Sequence, residues 1–401
     1  MASAPRELKP KYHLSHPDTD VYVGDNRQVL KQLPQGSVDM IFADPPFNWD
    51  VNYDKWDDDL PREDYLGFTR QWLDACIGVL AEHGSIWVNI PDDTAAEVVT
   101  HLKAQGLAMI NWCIWHFRFG QCRNGNFIVS KVHVLYFAKN AENRIWNGND
   151  ILEPSDRATT YGDHRTRSTQ SPGMRVPLDV WYGQYWGRIQ GNNAERRAQH
   201  QNQIPEVYLE RVIRACSNEG DLVLDPFLGS GTTCTVARSL GRRSIGIEYG
   251  AGHARSAFAR IKEGPVRIET ATERKIRQAF FGTHRGLMVN EVICDDELCG
   301  DFLQACKEQS VKLSERECCR TLLQMDKSGK LGPSGKKRKL GTIRQYEQAK
   351  QIVRKVAAGR KKAGIEQIMC DPKRRKEFDK KIRAADSEIA VHIVRRAAMG
   401  L

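Results

Sequence analysis

The chain has 401 residues and a formal net charge of +10, with 40% hydrophobic and 27% charged residues. That balance describes a folded chain of two or three domains rather than a disordered one, and the lack of any run of 18 apolar residues excludes a membrane-spanning helix. The N-terminal stretch is polar and predicts no secretory signal, so the 11 cysteines are expected to be reduced thiols in a cytoplasmic protein, nucleoid-associated in a bacterium or nuclear in a eukaryote.

In chain order, residues 21–25, 38–44 and 84–90 are short runs of β-branched and aromatic residues bounded by turn formers, and they predict strands. Between them, residues 62–81 repeat Tyr65, Phe68, Trp72, Cys76 and Leu80 at spacings of three or four, which predicts a helix. Residues 109–115 and 133–139 read as further strands. Residues 140–204 break the rhythm: Arg, Asn, Gln, Gly and aromatics dominate, and a loop-rich insertion is expected. After it come a helix over 205–216 with Leu209, Val212 and Ile213 on one face, a strand over 222–227, a helix over 232–240 and a strand over 242–248. Alternating strands and helices predict an α/β fold, a mainly parallel sheet with helices on both faces.

From about residue 266 the strand signals fade. Helices are expected over 301–325 and 346–358, with a basic glycine-containing connector at 327–339. Charge divides at the same place. Residues 1–265 carry 29 Lys and Arg against 32 Asp and Glu, whereas residues 266–401 carry 31 against 18. The expected organisation is therefore an α/β domain over 1–265, with 140–204 as its insertion, and a basic helical region over 266–401. A basic appendage on a near-neutral body points to a polyanionic partner, nucleic acid being the commonest.

Two motifs stand at predicted strand ends, where ligands bind in open α/β sheets. The first is Asp44-Pro45-Pro46-Phe47-Asn48. Two prolines after an acid stiffen the backbone. A fixed carboxylate and a fixed carbonyl can accept both hydrogens of one amino group, which frees the nitrogen lone pair from an aromatic ring, and Phe47 can stack on that ring. The competing reading is a plain strand-ending turn. The second motif is Asp225-Pro226-Phe227-Leu228-Gly229-Ser230-Gly231-Thr232-Thr233. Its glycines let the backbone approach a ligand, and Glu248, 17 residues past Gly231, stands where a ribose hydroxyl is recognised in nucleoside sites. A tight turn is the competing reading here. The loop lacks the Gly-Lys-Ser/Thr of a phosphate-binding loop, which argues against NTP hydrolysis.

Together these residues resemble the amino-methyltransferases of DNA. The order, with the Asp-Pro-Pro turn before the glycine loop, is similar to that of the permuted beta class. Gly24-Asp25 resembles the acidic contact to the cofactor adenine. Residues 200–205 resemble the family's His-Pro-Thr-Gln-Lys-Pro segment, with Gln201 for its proline and Ile204 for its lysine; Phe47 stands for the usual tyrosine. The resemblance covers about residues 20–263 and implies a Rossmann-like methyltransferase fold with S-adenosylmethionine as cofactor and no metal. It implies Asp25, Gln203, Asp225, Pro226, Phe227, Gly229, Ser230, Gly231, Thr232, Thr233 and Glu248 around that cofactor. It also implies Asp44, Pro45, Pro46 and Phe47 at the target amine of a flipped-out base. Asp rather than Ser at position 44 leans toward adenine N6, with cytosine N4 as the alternative. An RNA or protein amino-methyltransferase, or a DNA-binding module without turnover, are rivals of other classes.

The partner implied is DNA, with restriction-modification as one setting and a dimer left open. In the insertion, Arg165, Arg167, Arg175 and Arg188, beside Trp181, Tyr182, Tyr185 and Trp186, are candidates for target recognition, since arginine contacts phosphate and guanine. The aromatic run Trp112 to Phe119 is split between base pocket and core. His133 reads as a satisfied core histidine rather than a base. Cys294, Cys299, Cys306, Cys318 and Cys319 lack paired Cys-x-x-Cys spacing and read as buried thiols rather than a zinc site.

Overall fold

The computed structural model describes residues 9–51, 56–121, 125–156, 173–183, 185–191, 193–197, 200, 202–332, 334–338, 343–357 and 362–400. Two compact units emerge: residues 1–151 with 176–268, and residues 152–175 with 269–401.

The first unit is built on a nine-stranded sheet. Its strands are β1 (Tyr12–Leu14), β2 (Thr19–Val23), β3 (Val38–Ala43), β4 (Leu80–Ile90), β5 (Ala108–Gln121), β6 (Val129–Ala138), β9 (Val180–Trp181), β10 (Leu222–Asp225) and β11 (Arg243–Glu248), and their order is β1-β2-β11-β10-β3-β4-β6-β5-β9. The centre, β2-β11-β10-β3-β4, is parallel. β6 runs antiparallel between β4 and β5. The chain leaves β10 toward β11 on one side and β3 toward β4 on the other. The switch point, where a ligand is expected, thus lies between β10 and β3.

Helices cover both faces because the strands alternate. Ile41, Ala43, Ile86, Val88, Leu135, Phe137 and Leu224 point to one face, against α1 (Asn26–Leu30), α2 (Arg62–Val79) and α3 (Ala95–Ala104). Met40, Phe42, Trp87, Val134, Tyr136 and Val223 point to the other, against α4 (Glu206–Cys216) and α5 (Thr232–Ser239). α6 (Ala251–Glu263) buries Ala254, Ala257 and Ile261 against Val21 and Cys234.

The aromatic run at 112–119 lies inside β5, longer than expected, and Trp115 and Phe117 are core residues. Residues 176–204 do not form a free loop either. Trp181 is buried against Tyr208, and Trp186 packs beside them under the Arg211 guanidinium, 4.3 Å from its ring. Of the aromatics offered there for recognition, Tyr182 stays exposed.

The second unit consists of a two-stranded ribbon, β7 (Glu153–Pro154) with β8 (Met174–Arg175), and eight helices among the described residues. These are α7 (Ala271–Thr283), α8 (Val289–Cys294), α9 (Asp296–Glu308), α10 (Glu315–Ser328), α11 (Ile343–Ala357), α12 (Lys362–Met369), α13 (Pro372–Ala385) and α14 (Val391–Met399). Leu152 and Met174 join its core, which is why the ribbon segment of the insertion groups with these helices. The helix expected over 301–325 is two helices. α9 ends at Glu308, with Ser310 turned to φ +55°, and Ser314 starts α10 afresh: its hydroxyl accepts from the Glu317 amide and the Glu317 carboxylate accepts from the Ser314 amide, a capping box. The ten described cysteines are free and buried. None of the described helices is long and apolar enough to cross a membrane.

Candidate active site

Because β2, β3, β4, β10 and β11 are parallel, their C-terminal ends share one edge of the sheet. A cavity of about 300 Å³ opens there. Asp25, Asp44, Pro45, Pro46, Phe47, Gln203, Asp225, Pro226, Phe227, Gly229, Ser230, Thr232, Thr233 and Glu248 all line it. Two motifs about 180 residues apart in the chain thus border the same space.

Asp44 follows β3 and is half-buried in the cavity wall. Burial pushes its carboxyl up to about 7, against the Asn89 hydrogen bond and the positive charge of Arg188, which pull it down. Asn89, near the end of β4, donates from Nδ2 to Asp44 Oδ1 at 3.0 Å. Tyr208, on α4, donates its hydroxyl to Asn89 Oδ1 at 2.5 Å. Both residues are fully buried. The tyrosine sets the amide orientation: with Oδ1 turned to the hydroxyl, the NH2 must face the carboxylate. One oxygen of Asp44 is thereby held and the other is left for a ligand.

The turn after Asp44 is braced from the protein side. Tyr65 on α2 donates its hydroxyl to the Pro46 carbonyl at 2.9 Å. Among the described residues, no donor reaches the Pro45 carbonyl. The buried Asp58 carboxylate accepts from the amides of Asn48, Trp49 and Val51 at 3.0–3.1 Å. Asn48, at φ +59°, exchanges two hydrogen bonds with the Leu60 backbone. Phe47 packs edge-on to Trp49, ring centroids 5.2 Å apart.

At the glycine loop, Gly229 and Gly231 have φ of +49° and +77°. Gly229 lines the cavity. Gly231 does not: it begins α5, and a Cβ there would lie 3.0 Å from the Ala257 Cβ, so this glycine serves helix packing. Ser230 and Thr232 are fastened from behind by Arg260, whose Nη1 donates to Thr232 Oγ1 at 2.6 Å and Ser230 Oγ at 3.1 Å. Arg260 also pairs with Glu206 at 3.1 Å, both essentially inaccessible. Glu206 in turn accepts from the Val266 and Arg267 amides.

The acids at the cavity share a problem. Asp225 is pushed up to about 7 by burial and by the charges of Asp44 and Glu248. Glu248 is also raised by burial, although the Gly229 and Gly250 amides bond its two oxygens at 2.9 and 3.1 Å. Three carboxylates gathered in a partly dry cavity suit a ligand that brings positive charge, as the sulfonium and ammonium of S-adenosylmethionine do. Asp25 is engaged differently: it caps α1 and forms a close pair with Arg27, Oδ2 to Nη2 2.6 Å. Gln203 is buried with both ends of its amide occupied, by the Arg197 amide and the Glu195 carbonyl.

Of the arginines singled out in the insertion, Arg188 lies over the Phe117 ring at 4.3 Å and acts electrostatically on Asp44. Arg175 pairs with Glu153 and Asp156 in the second unit, each at 3.5 Å. Arg165 and Arg167 lie outside the described residues. His133 bonds Asp92 at 2.6 Å and accepts from the Trp112 indole at 2.7 Å, so both nitrogens are satisfied.

Sequence reasoning passed over Asn89, Tyr208, Asp58 and Arg260. His200, which opens the segment 200–205 but was given no role, also lines the cavity, ring to ring with His253, and burial lowers its pKa to about 4, keeping it neutral. The one available signal was the polar Asn89 inside the apolar run 86–90.

A family model described as DNA methylase (N6_N4_Mtase) matches residues 38–259. The chain is 31% identical over 251 residues to the type II methyltransferase M.HpaI of Haemophilus parainfluenzae, covering 62% of this chain and 76% of that protein. It is 32% identical over 255 residues to the type II methyltransferase M.BamHI of Bacillus amyloliquefaciens, covering 61% and 57%. A solved structure similar to it is the PvuII DNA methyltransferase, described as cytosine-N4-specific, at 16% identity and a TM-score of 0.49 over 75% of this chain and 95% of that one.

Proposed function

The chain belongs to the DNA methylase family, as an S-adenosylmethionine-dependent DNA methyltransferase acting on exocyclic amines, and from this we propose that its target is the N6 amine of adenine in a base rotated out of the duplex. One observation carries the reading: Asp44 and the glycine-loop residues Asp225 to Ser230 line a single cavity. The preference for adenine rests on Asp at position 44.

Bound S-adenosylmethionine supplies an electrophilic methyl group on sulfonium. Asp225, Glu248 and the backbone around Gly229 would hold that cofactor through charge and close approach. Asp25, its carboxylate already oriented by Arg27, would meet the cofactor's adenine. At the target, the free oxygen of Asp44 and the Pro45 carbonyl accept the two amine hydrogens. The nitrogen lone pair is then released from ring conjugation and aimed at the methyl. Alignment of the two reactants supplies much of the rate. As the new N–C bond would form, the methyl–sulfur bond would break and leave a neutral thioether; the nitrogen would become cationic, and Asp44, with its carboxyl raised to about 7, is matched to take the proton it sheds. Phe47 stacks on the extruded ring and offsets part of the lost base stacking. Among the insertion arginines, Arg188 is the one we assign to the entering nucleotide, because Arg175 is already engaged by two acids.

The test is methylation of unmodified genomic DNA followed by nucleoside mass spectrometry. N6-methyladenine is expected. N4-methylcytosine overturns the choice of base, and label found only in RNA or protein overturns DNA as the substrate of this chain. Asp44→Ala should abolish transfer and retain cofactor binding; full activity in a folded D44A protein would refute the mechanism.

A further inference from the structure

The positive charge of the second unit is unevenly used. Arg375, Arg395 and Arg396 are buried and paired with Asp296, Asp379 and Glu291. At its surface, Arg285, Lys307 and Lys327 pair with Glu297, Glu315 and Glu366. These cations are internally compensated.

α13, with the sequence PKRRKEFDKKIRAA, differs. Its buried positions Arg375, Phe378 and Ile382 follow the spacing of one helix face. At about 100° per residue the opposite arc carries Lys373, Lys376 and Lys380, with Arg383 and Lys381 toward its two edges, all exposed. None of the five has an ion-pair partner among the described residues, and the one acid among them is Glu377. Arg374, on the flank, faces Asp371 at 3.8 Å. Five unpaired cations on one short face repel each other, and no acid among the described residues pairs with them.

We propose that this face of α13 is a DNA-backbone contact that neutralises four or five phosphates without reading sequence. The inference rests on the reading of the chain as a DNA methyltransferase. The stretch from 373 to 383 spans about 15 Å of helix, about the axial rise over which one DNA strand presents four phosphates, so the face is long enough to follow a stretch of backbone. Four of the five are lysines, point charges suited to phosphate rather than to bidentate base recognition. A lipid surface fits poorly, because interfacial helices need an exposed apolar face, and here Phe378 and Ile382 are buried in the core.

The experiment uses the full chain with Lys373, Lys376, Lys380, Lys381 and Arg383 all replaced by Gln. Affinity for a duplex of arbitrary sequence is measured from 50 to 200 mM salt. Each phosphate contact contributes about 0.9 to the slope of log affinity against log salt. The variant's slope should therefore fall by about 4, and its loss of affinity across that range should shrink by roughly two orders of magnitude. A control carrying R285Q, K307Q and K327Q removes cations that are already paired, and its slope should stay near the unmodified value. An unchanged slope in the α13 variant overturns the proposal. So does a fall in both proteins proportional to the charge removed, or tighter binding of the unmodified chain to single-stranded RNA than to the duplex. A K376E/K380E protein repeats the measurement should the fivefold variant melt early. Methyl transfer at low salt and saturating DNA is the separate readout. If duplex binding behaves as expected while no transfer occurs, the methyltransferase reading fails and this one stands; transfer with an unchanged slope has the reverse meaning.

Discussion

Replacing Asn89 by alanine tests whether the arrangement behind Asp44 tunes its chemistry. Asn89 Nδ2 lies 3.0 Å from Asp44 Oδ1 and is its one side-chain hydrogen bond among the described residues. A hydrogen bond to a charged group contributes about 1.5–3 kcal/mol, and about 1.4 kcal/mol corresponds to one pH unit. Its loss should move the Asp44 carboxyl from about 7 to roughly 8–9. The sign follows from the role: the carboxylate must be ionised, so activity rises with pH through this value, and the rising limb shifts to higher pH. At pH 7.5 the ionised fraction falls roughly tenfold, and raising the pH restores it. The groups that also face Asp44 are Asp225, Arg188 and Tyr208, and all three remain. Tyr208→Phe, which frees the amide to turn, should shift the limb in the same direction by less. The assay is single-turnover methyl transfer from pH 6 to 10 with cofactor affinity measured in parallel. A pH-independent loss of rate, with the limb still near 7, would refute the reasoning.

The two loop glycines should separate. Gly231→Ala meets both a left-handed backbone and Ala257 at 3.0 Å, and should cost about 2–3 kcal/mol in denaturant unfolding. Gly229→Ala has its nearest contact at 3.6 Å; it should cost about 1 kcal/mol while weakening cofactor binding by calorimetry, because its Cβ enters the cavity. Equal stability losses would contradict the packing role of Gly231. Arg260→Leu strands the buried Glu206 carboxylate and should destabilise by about 3–5 kcal/mol; a melting temperature unchanged from the parent would show that the pair does not hold the loop.

Much of the catalytic unit is legible from local pattern. The β-branched run at 38–44 and the 3–4 spacing of Tyr65, Phe68, Trp72 and Cys76 emerge as β3 and α2. Departures arise where nonlocal packing overrides composition. The polar, glycine-rich stretch 176–204 reads as loop, yet Trp181 and Trp186 gather round Tyr208 and close the core. The helix expected at 301–325 is broken after Glu308, where Ser310 takes a positive φ, and restarts at Ser314, whose capping box with Glu317 was written in the sequence but hidden among the surrounding helix-forming residues.

By itself the sequence determined the chemistry on offer, an acid before two prolines and a glycine loop ending in two threonines, because turn geometry and strand periodicity depend on neighbours a few residues apart. Only the tertiary structure decided which groups act on that acid. Asn89 and Tyr208 are 119 positions apart, and they meet because parallel pairing aligns the tips of β3 and β4 while α4 packs across the same face of the sheet. Partner choice of that kind is set by side-chain packing between distant segments, for which one-dimensional spacing has no signal.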